Sequence, residues 1–349
     1  MAVPKNPQIE SIFKRLSEAG IDRNYVRAWF LPDWWDDDIL STGSGRATFE
    51  IYLSRMTGLP IESLASNAPL SLTPRTPVKY KKRDGTDEAS VAPAAVVAET
   101  IACGLAESID LSYAFHGECS AAESRQIILG KKWTTVDLEA LVDFAWDMGI
   151  AVCHMAALPK NSAKFDGIAM FANDRPVIVL GQGRDSPPWL AFTLAHEIAH
   201  VLLGHVKAGQ PALADLPGGT PAAAKDVDPD AELKLKSRSH DATEAEADRF
   251  ACELLSGHPE PAFAPIFGMT GDRLATQVTK IGPAAGIDPG VLALMYGFAA
   301  ERIPVAQAAL NKLNLVSGGH KILANGVCRH LKRDLAESHQ MLVDMVIRC

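Results

Sequence analysis

The chain has 349 residues, 47% of them hydrophobic, and a formal net charge of −8. That length and apolar content suffice for one large or two to three small cores, and the acidic balance excludes a surface given over to nucleic acid while leaving room for a local basic patch. No run of about 18 apolar residues and no apolar stretch in MAVPKNPQIE points to a membrane span or a signal peptide, so no membrane partner is expected. Six cysteines without paired spacing or a CxxC fit a reducing cytoplasm.

Residues 1–72 read as an N-terminal helical region. Amphipathic spacing covers 9–16 and 25–30. A helix over 47–56, then Gly58, Leu59 and Pro60, then 61–64, resembles a helix–turn–helix fragment, although a plain helical hairpin is the simpler reading. Residues 73–88 read as a basic linker, with Arg75, Lys79, Lys81, Lys82 and Arg83 around Tyr80. Its composition suits a solvated connection; its alternative role is contact with single-stranded DNA as an activating signal.

The next region, 89–262, carries the chemistry. Helices are expected over 91–105, 120–129 and 137–148, the last ending at Gly149. A short strand follows at 150–154, and a hairpin joins 168–171 to 177–180 around Asn173 and Asp174. Residues 187–205 read PPWLAFTLAHEIAHVLLGH. Ser186 followed by two prolines is a helix-start signal. His196 and His200 are four apart, so they lie on one face, roughly 40° apart around the axis. One Zn²⁺ can take both rings, and Glu197 can hold the attacking water as general base. The bland alternative is a helix with incidental histidines. Leu190, Leu194, Ile198 and Leu202 mark the helix as buried, and a buried helix does not keep such polar groups uncompensated.

A catalytic zinc needs a third protein ligand and an open position. Residues 243–255 read TEAEADRFACELL, with Thr243 and Glu246 spaced as a capping box and Gly257 as a stop. Glu244 in the first turn is the candidate third ligand, Glu246 the fallback, and Asp248 a group that could orient a ligating histidine. Without the upstream motif these acids would read as a solvated helix start. His205 falls one position off a longer histidine motif and reads as a helix C-terminal residue. The stretch 207–240, rich in Gly, Pro, Ala, Lys and Asp, reads as an inserted mobile loop. Residues 263–349 read as a C-terminal helical region, with helices over 272–281, 289–299 and 326–347.

FTLAHEIAHVLLGH (192–205), with EAEADRFACELL (244–255) and the helix and strand pair before them, resembles the ImmA/IrrE family of zinc metallopeptidases. The resemblance is good from the 130s to the 260s. It implies an α+β, predominantly helical fold, in which a zincin-like core with a small β-sheet is flanked by helical regions. It implies Zn²⁺ on His196, His200 and Glu244, with Glu197 as catalytic base. It also implies a helix–turn–helix repressor or antitoxin as substrate, in operon derepression or anti-phage defence.

An enzyme of this kind must stay quiet until signalled. Cys119 or Cys103 could supply an inhibitory thiolate to the zinc, whereas Cys153 and Cys252 read as core cysteines. His205, His240 and Tyr296 are candidates for stabilising the oxyanion. The rival reading is a non-catalytic regulator with structural zinc that binds DNA or a repressor.

Overall fold

A computed structural model describes residues 7–81, 88–109, 115–155, 157–160, 162–181, 183–216, 233–234, 241–264, 266, 268–332 and 337–347. The chain opens with α1 (Pro7–Glu18), the short α2 (Arg23–Tyr25) running into a π-helical turn, α3 (Gly43–Thr57) and α4 (Ile61–Ala65). Ile12, Phe13, Leu16, Phe49, Leu53 and Leu64 are buried. Buried Arg15 donates to the carbonyls of Ser63, Leu64 and Ala68 at 2.7–3.1 Å, which caps α4. Gly58, at φ +69°, ends α3. The α3–α4 pair is a hairpin whose second helix has five residues, too short to lie along a major groove as a recognition helix.

The segment read as a linker forms β1 (Val78–Lys81). Val78 and Tyr80 are half-buried and Lys79 is exposed, a two-residue period that the neighbouring prolines obscured. Then follow α5 (Glu88–Ser108), α6 (Ala121–Leu129), α7 (Leu138–Asp147), β2 (Ala151–His154), β3 (Gly167–Ala172), β4 (Arg175–Leu180), α8 (Pro187–Leu202), β5 (Ala212–Asp215), β6 (Leu233–Lys234), α9 (Ala242–Ser256) and β7 (Ala262–Phe263). The five-stranded sheet has the order β1-β5-β3-β4-β2. β3 runs antiparallel to both β4 and β5, while β2 is parallel to β4 and β1 is parallel to β5. Asn173 and Asp174, at φ 50° and 60°, turn the β3–β4 hairpin as residues of their type can. Thus 207–240, read as a loop, supplies a central strand.

Helices α5 and α8 both pack on β3 and β4, and consecutive residues of those strands are buried, so both faces of the sheet are covered. Over Ala89–Ser108, α5 is long and apolar enough to cross a membrane; 78% of that window is buried inside the protein, as expected of a core helix. The C-terminal region is α10 (Gly271–Ile281), α11 (Pro289–Ala299), α12 (Ile303–Lys312), α13 (Gly319–His330) and α14 (Glu337–Ile347). The expected single helix over 326–347 is therefore two. Leu331 leaves α13 to bridge Ile109 and the Lys332 amide donates to Ser108, which ties the tail to α5.

Arg125 on α6 joins three elements. Its guanidinium donates to the carbonyls of Leu254 and Leu255 at the end of α9 and to those of Ala285 and Gly286 before α11, at 2.7–3.3 Å. Arg125→Ala would strand the buried carbonyls of Leu254 and Leu255 and release those of Ala285 and Gly286. We expect it to cost about 3 kcal/mol and to lower the thermal midpoint by about 5 °C or more, read by circular dichroism.

Candidate metal centre

The helix that carries the histidines is set by its ends. Ser186 occupies the N-cap and Pro187 and Pro188 the first turn, but the Ser186 hydroxyl donates to the Leu315 carbonyl at 2.6 Å instead of capping. The start of α8 is thereby anchored to the C-terminal region. Leu190, Leu194, Ala195, Ile198 and Ala199 are fully buried along it.

At this depth His196 and His200 turn toward each other, with Nε2 atoms 3.1 Å apart. Glu244 reaches them from the first turn of α9: Oε2 is 3.4 Å from His196 Nε2 and Oε1 is 3.4 Å from His200 Nε2. Asp215, the last residue of β5, places Oδ2 2.9 Å from His196 Nε2. One donor atom from each of these four residues lies within 4.8 Å of every other. Ligands about 2.0–2.1 Å from a tetrahedral zinc sit about 3.3 Å apart, so the spacing of these donors fits a zinc-sized ion. Their chemistry fits too, because two carboxylates brought together in a poorly solvated site call for a cation.

The rings are held from behind. His196 Nδ1 faces Asp248 Oδ1 at 3.1 Å, one turn along α9 from Glu244. His200 Nδ1 is 3.0 Å from His205 Nδ1, and His205 Nε2 is 3.2 Å from Glu246 Oε2. These contacts leave both Nε2 atoms facing the donor cluster. The fallback ligand Glu246 is thus on His205. The expected Thr243–Glu246 capping box does not form: Asp241 caps α9 by accepting from the Thr243 amide at 2.8 Å, which leaves Glu246 to reach across.

Glu197 is fully buried and neither carboxylate oxygen has a hydrogen-bond partner among the described residues. It lies against β3 at Gly167, where a Cβ would come within 2.1 Å of its Oε1; only glycine leaves that room. Burial, and then the charge of Asp215, pushes the Glu197 carboxyl well above its usual range, against the lowering effect of His196. Burial alone would lower the pKa of His196, but Asp215, Asp248 and Glu244 together hold its proton well above the usual histidine range.

The other residues singled out in the sequence lie elsewhere. Among the described residues no thiol belongs to the donor cluster. Cys119 Sγ sits beside Ser124 Oγ at 3.4 Å and Cys103 beside Arg75, so neither is brought to the metal position. Burial pushes the Cys153 and Cys252 thiols up to about 12, aided at Cys252 by Asp248. The Tyr296 hydroxyl is engaged with the Ile266 backbone. His240 lies outside the described residues. The group that sequence reasoning missed is Asp215; its signal was ALADL, an apolar run with one acid inside a Gly- and Pro-rich stretch.

Residues 145–256 match the family model of the IrrE N-terminal-like domain, Peptidase_M78. The matched stretch runs from the end of α7 through α9 and holds all four donor residues, so this chain carries a metallopeptidase-type domain. The match over that domain supports the resemblance to the ImmA/IrrE family. Comparisons with curated proteins and with solved structures gave no match.

Two outcomes follow for the isolated protein. Asp248→Ala or His205→Ala should lower zinc affinity about 10- to 100-fold without abolishing binding, measured by competition with a chromophoric chelator. In metal-stripped protein, folded Glu197 keeps a proton that the unfolded chain releases above its ordinary value of 4.5. Stability relative to Glu197→Gln should therefore fall as pH rises past that value. Denaturant titrations of both proteins across pH 4–8 check the sign.

Proposed function

We propose that this chain is a cytoplasmic zinc-dependent endopeptidase that cleaves a helix–turn–helix repressor or antitoxin, so derepressing an operon in a stress or anti-phage response. The observation that carries the catalytic part is Glu197, buried beside the donor cluster with both oxygens unsatisfied. A carboxylate in that state costs several kcal/mol, and a purely structural metal site has no use for it.

When bound, zinc polarises a carbonyl and makes water more acidic. Glu197 takes a proton from water as the water oxygen bonds to the scissile carbonyl carbon. It passes that proton to the amide nitrogen as the C–N bond breaks. Asp248 and the His205–Glu246 pair hold the two imidazoles in orientation.

The substrate class rests on the family resemblance. Single-stranded DNA is the activating signal we assign to the basic stretch, of which Lys79 is exposed and Tyr80 half-buried on the edge strand β1. The second reading, a non-catalytic regulator with structural zinc, is favoured by one observation: Asp215 completes a set of four protein donors.

The test incubates purified protein with candidate repressors, with and without chelator and single-stranded DNA. Cleavage should need metal and rise when DNA is added. Glu197→Gln should retain one zinc per chain and lose activity by about 10²–10⁴-fold. Cleavage by that variant at the wild-type rate would refute the role of Glu197, and none by any form with zinc bound would favour the regulator.

A further inference from the structure

A catalytic zinc keeps one position free, whereas a site with four protein ligands is closed. Three of the donors here fit a working peptidase. The fourth, Asp215, comes from a strand. We propose that Asp215 is an internal latch: its carboxylate takes the fourth ligand position in the resting chain, and the site opens only when that side chain leaves. The proposal rests on the metallopeptidase reading.

The distances come first. Asp215 Oδ2 is 2.9 Å from His196 Nε2 and belongs to the same tight group as His200 and Glu244. Its Oδ1 has no hydrogen-bond partner among the described residues, so the carboxylate is directed by what it meets in this cluster.

Register gives the second argument. Asp215 pairs with Gly167 on β3, and its carbonyl accepts from the Asp166 amide at 2.7 Å. Gly167 is the residue against which Glu197 lies. β5 therefore covers the stretch of β3 nearest the base. A strand edge of this kind is where an extended peptide can add. The chain has laid its own strand there.

Burial points the same way. The side chains of His196, Asp215 and Glu244 are 15%, 18% and 14% exposed, and that of His200 is fully buried. Donors covered to that degree leave little open surface at the centre of the cluster.

The latch also has a handle. On its far side β5 pairs with β1, and the Ala212 amide donates to the Pro77 carbonyl. Residues 77–81 lie outside the stretch 145–256 that matches the peptidase family. The grip on β5 thus comes from a part of the chain outside the matched domain.

The experiment loads full-length wild type, Asp215→Ala and Asp215→Asn with Co²⁺ and follows the visible spectrum as acetohydroxamate is added. Each protein should take up one cobalt. Wild type should respond at least tenfold more weakly than Asp215→Ala, because its fourth position is filled. An equal response in both would overturn the latch, as would an Asp215→Ala protein that binds cobalt and still ignores the probe. Wild type that binds no cobalt would overturn the peptidase reading itself, a separate failure. If Asp215→Ala does not fold, the comparison is made with Asp215→Asn, which keeps the shape of the side chain. A wild-type spectrum that shifts fully at stoichiometric acetohydroxamate overturns the latch without any variant.

Discussion

Two carboxylates and two imidazoles meet where water scarcely reaches, and a fifth group, Glu197, is buried beside them with nothing to bond. Such a gathering is unfavourable on its own. Each desolvated charge costs several kcal/mol, and the charges of Asp215 and Glu244 add to burial in raising the hold of Glu197 on a proton. A divalent cation reverses the balance, because the same crowding that repels bare carboxylates stabilises a positive charge among them. In the protein without a metal, the proton on His196 does part of that work. The surrounding fold is best understood as what holds these groups together against their repulsion.

It does so with rigid elements on every side. α8 is buried along its length and fastened at its start through Ser186 to Leu315. α9, which carries Glu244 and Asp248, packs against α8 and is clamped at its end by Arg125. β3 brings Gly167 against Glu197 where any larger residue would displace the base. β5 delivers Asp215 from the sheet. The donors thus arrive from two helices and one strand, and separations near 3 Å among them depend on core packing rather than on any loop.

Much of this was legible in the sequence wherever the chemistry is local. The four-residue spacing of His196 and His200 is a property of any helix, and the apolar residues around it declare burial. Glu244 and Asp248 were readable because they too are one turn apart on a helix with clear ends. Asn173 and Asp174 announced the hairpin by their tolerance of positive φ. What escaped was pairing between distant segments. β1 and β5 are four-residue strands that hydrogen-bond chiefly to each other and to β3. Strands so short, set among prolines and glycines, show too little alternation to register. Asp215 escaped with its strand, and the His205–Glu246 contact escaped because it spans 41 positions. The capping box failed for a tertiary reason: Asp241 can cap α9, and Glu246 has a partner across the site.

The presence of both Asp215 and Glu197 bears on what kind of site this is. A metal kept only to staple the fold is best served by four donors in a dry shell, with no spare acid nearby. A metal kept only for hydrolysis is best served by three donors, a base and open access. This chain has the four donors of the first and a buried spare acid, Glu197, as the second would need. The two can coexist without conflict if the fourth donor is removable. The donors differ in just that respect: His196 and His200 are backed by Asp248 and His205, whereas Asp215 Oδ1 has no backing group among the described residues. Support of that kind fixes a ligand in place. Of these three, Asp215 is therefore the ligand whose departure disturbs least, and it stands at the end of a strand gripped from outside the peptidase domain.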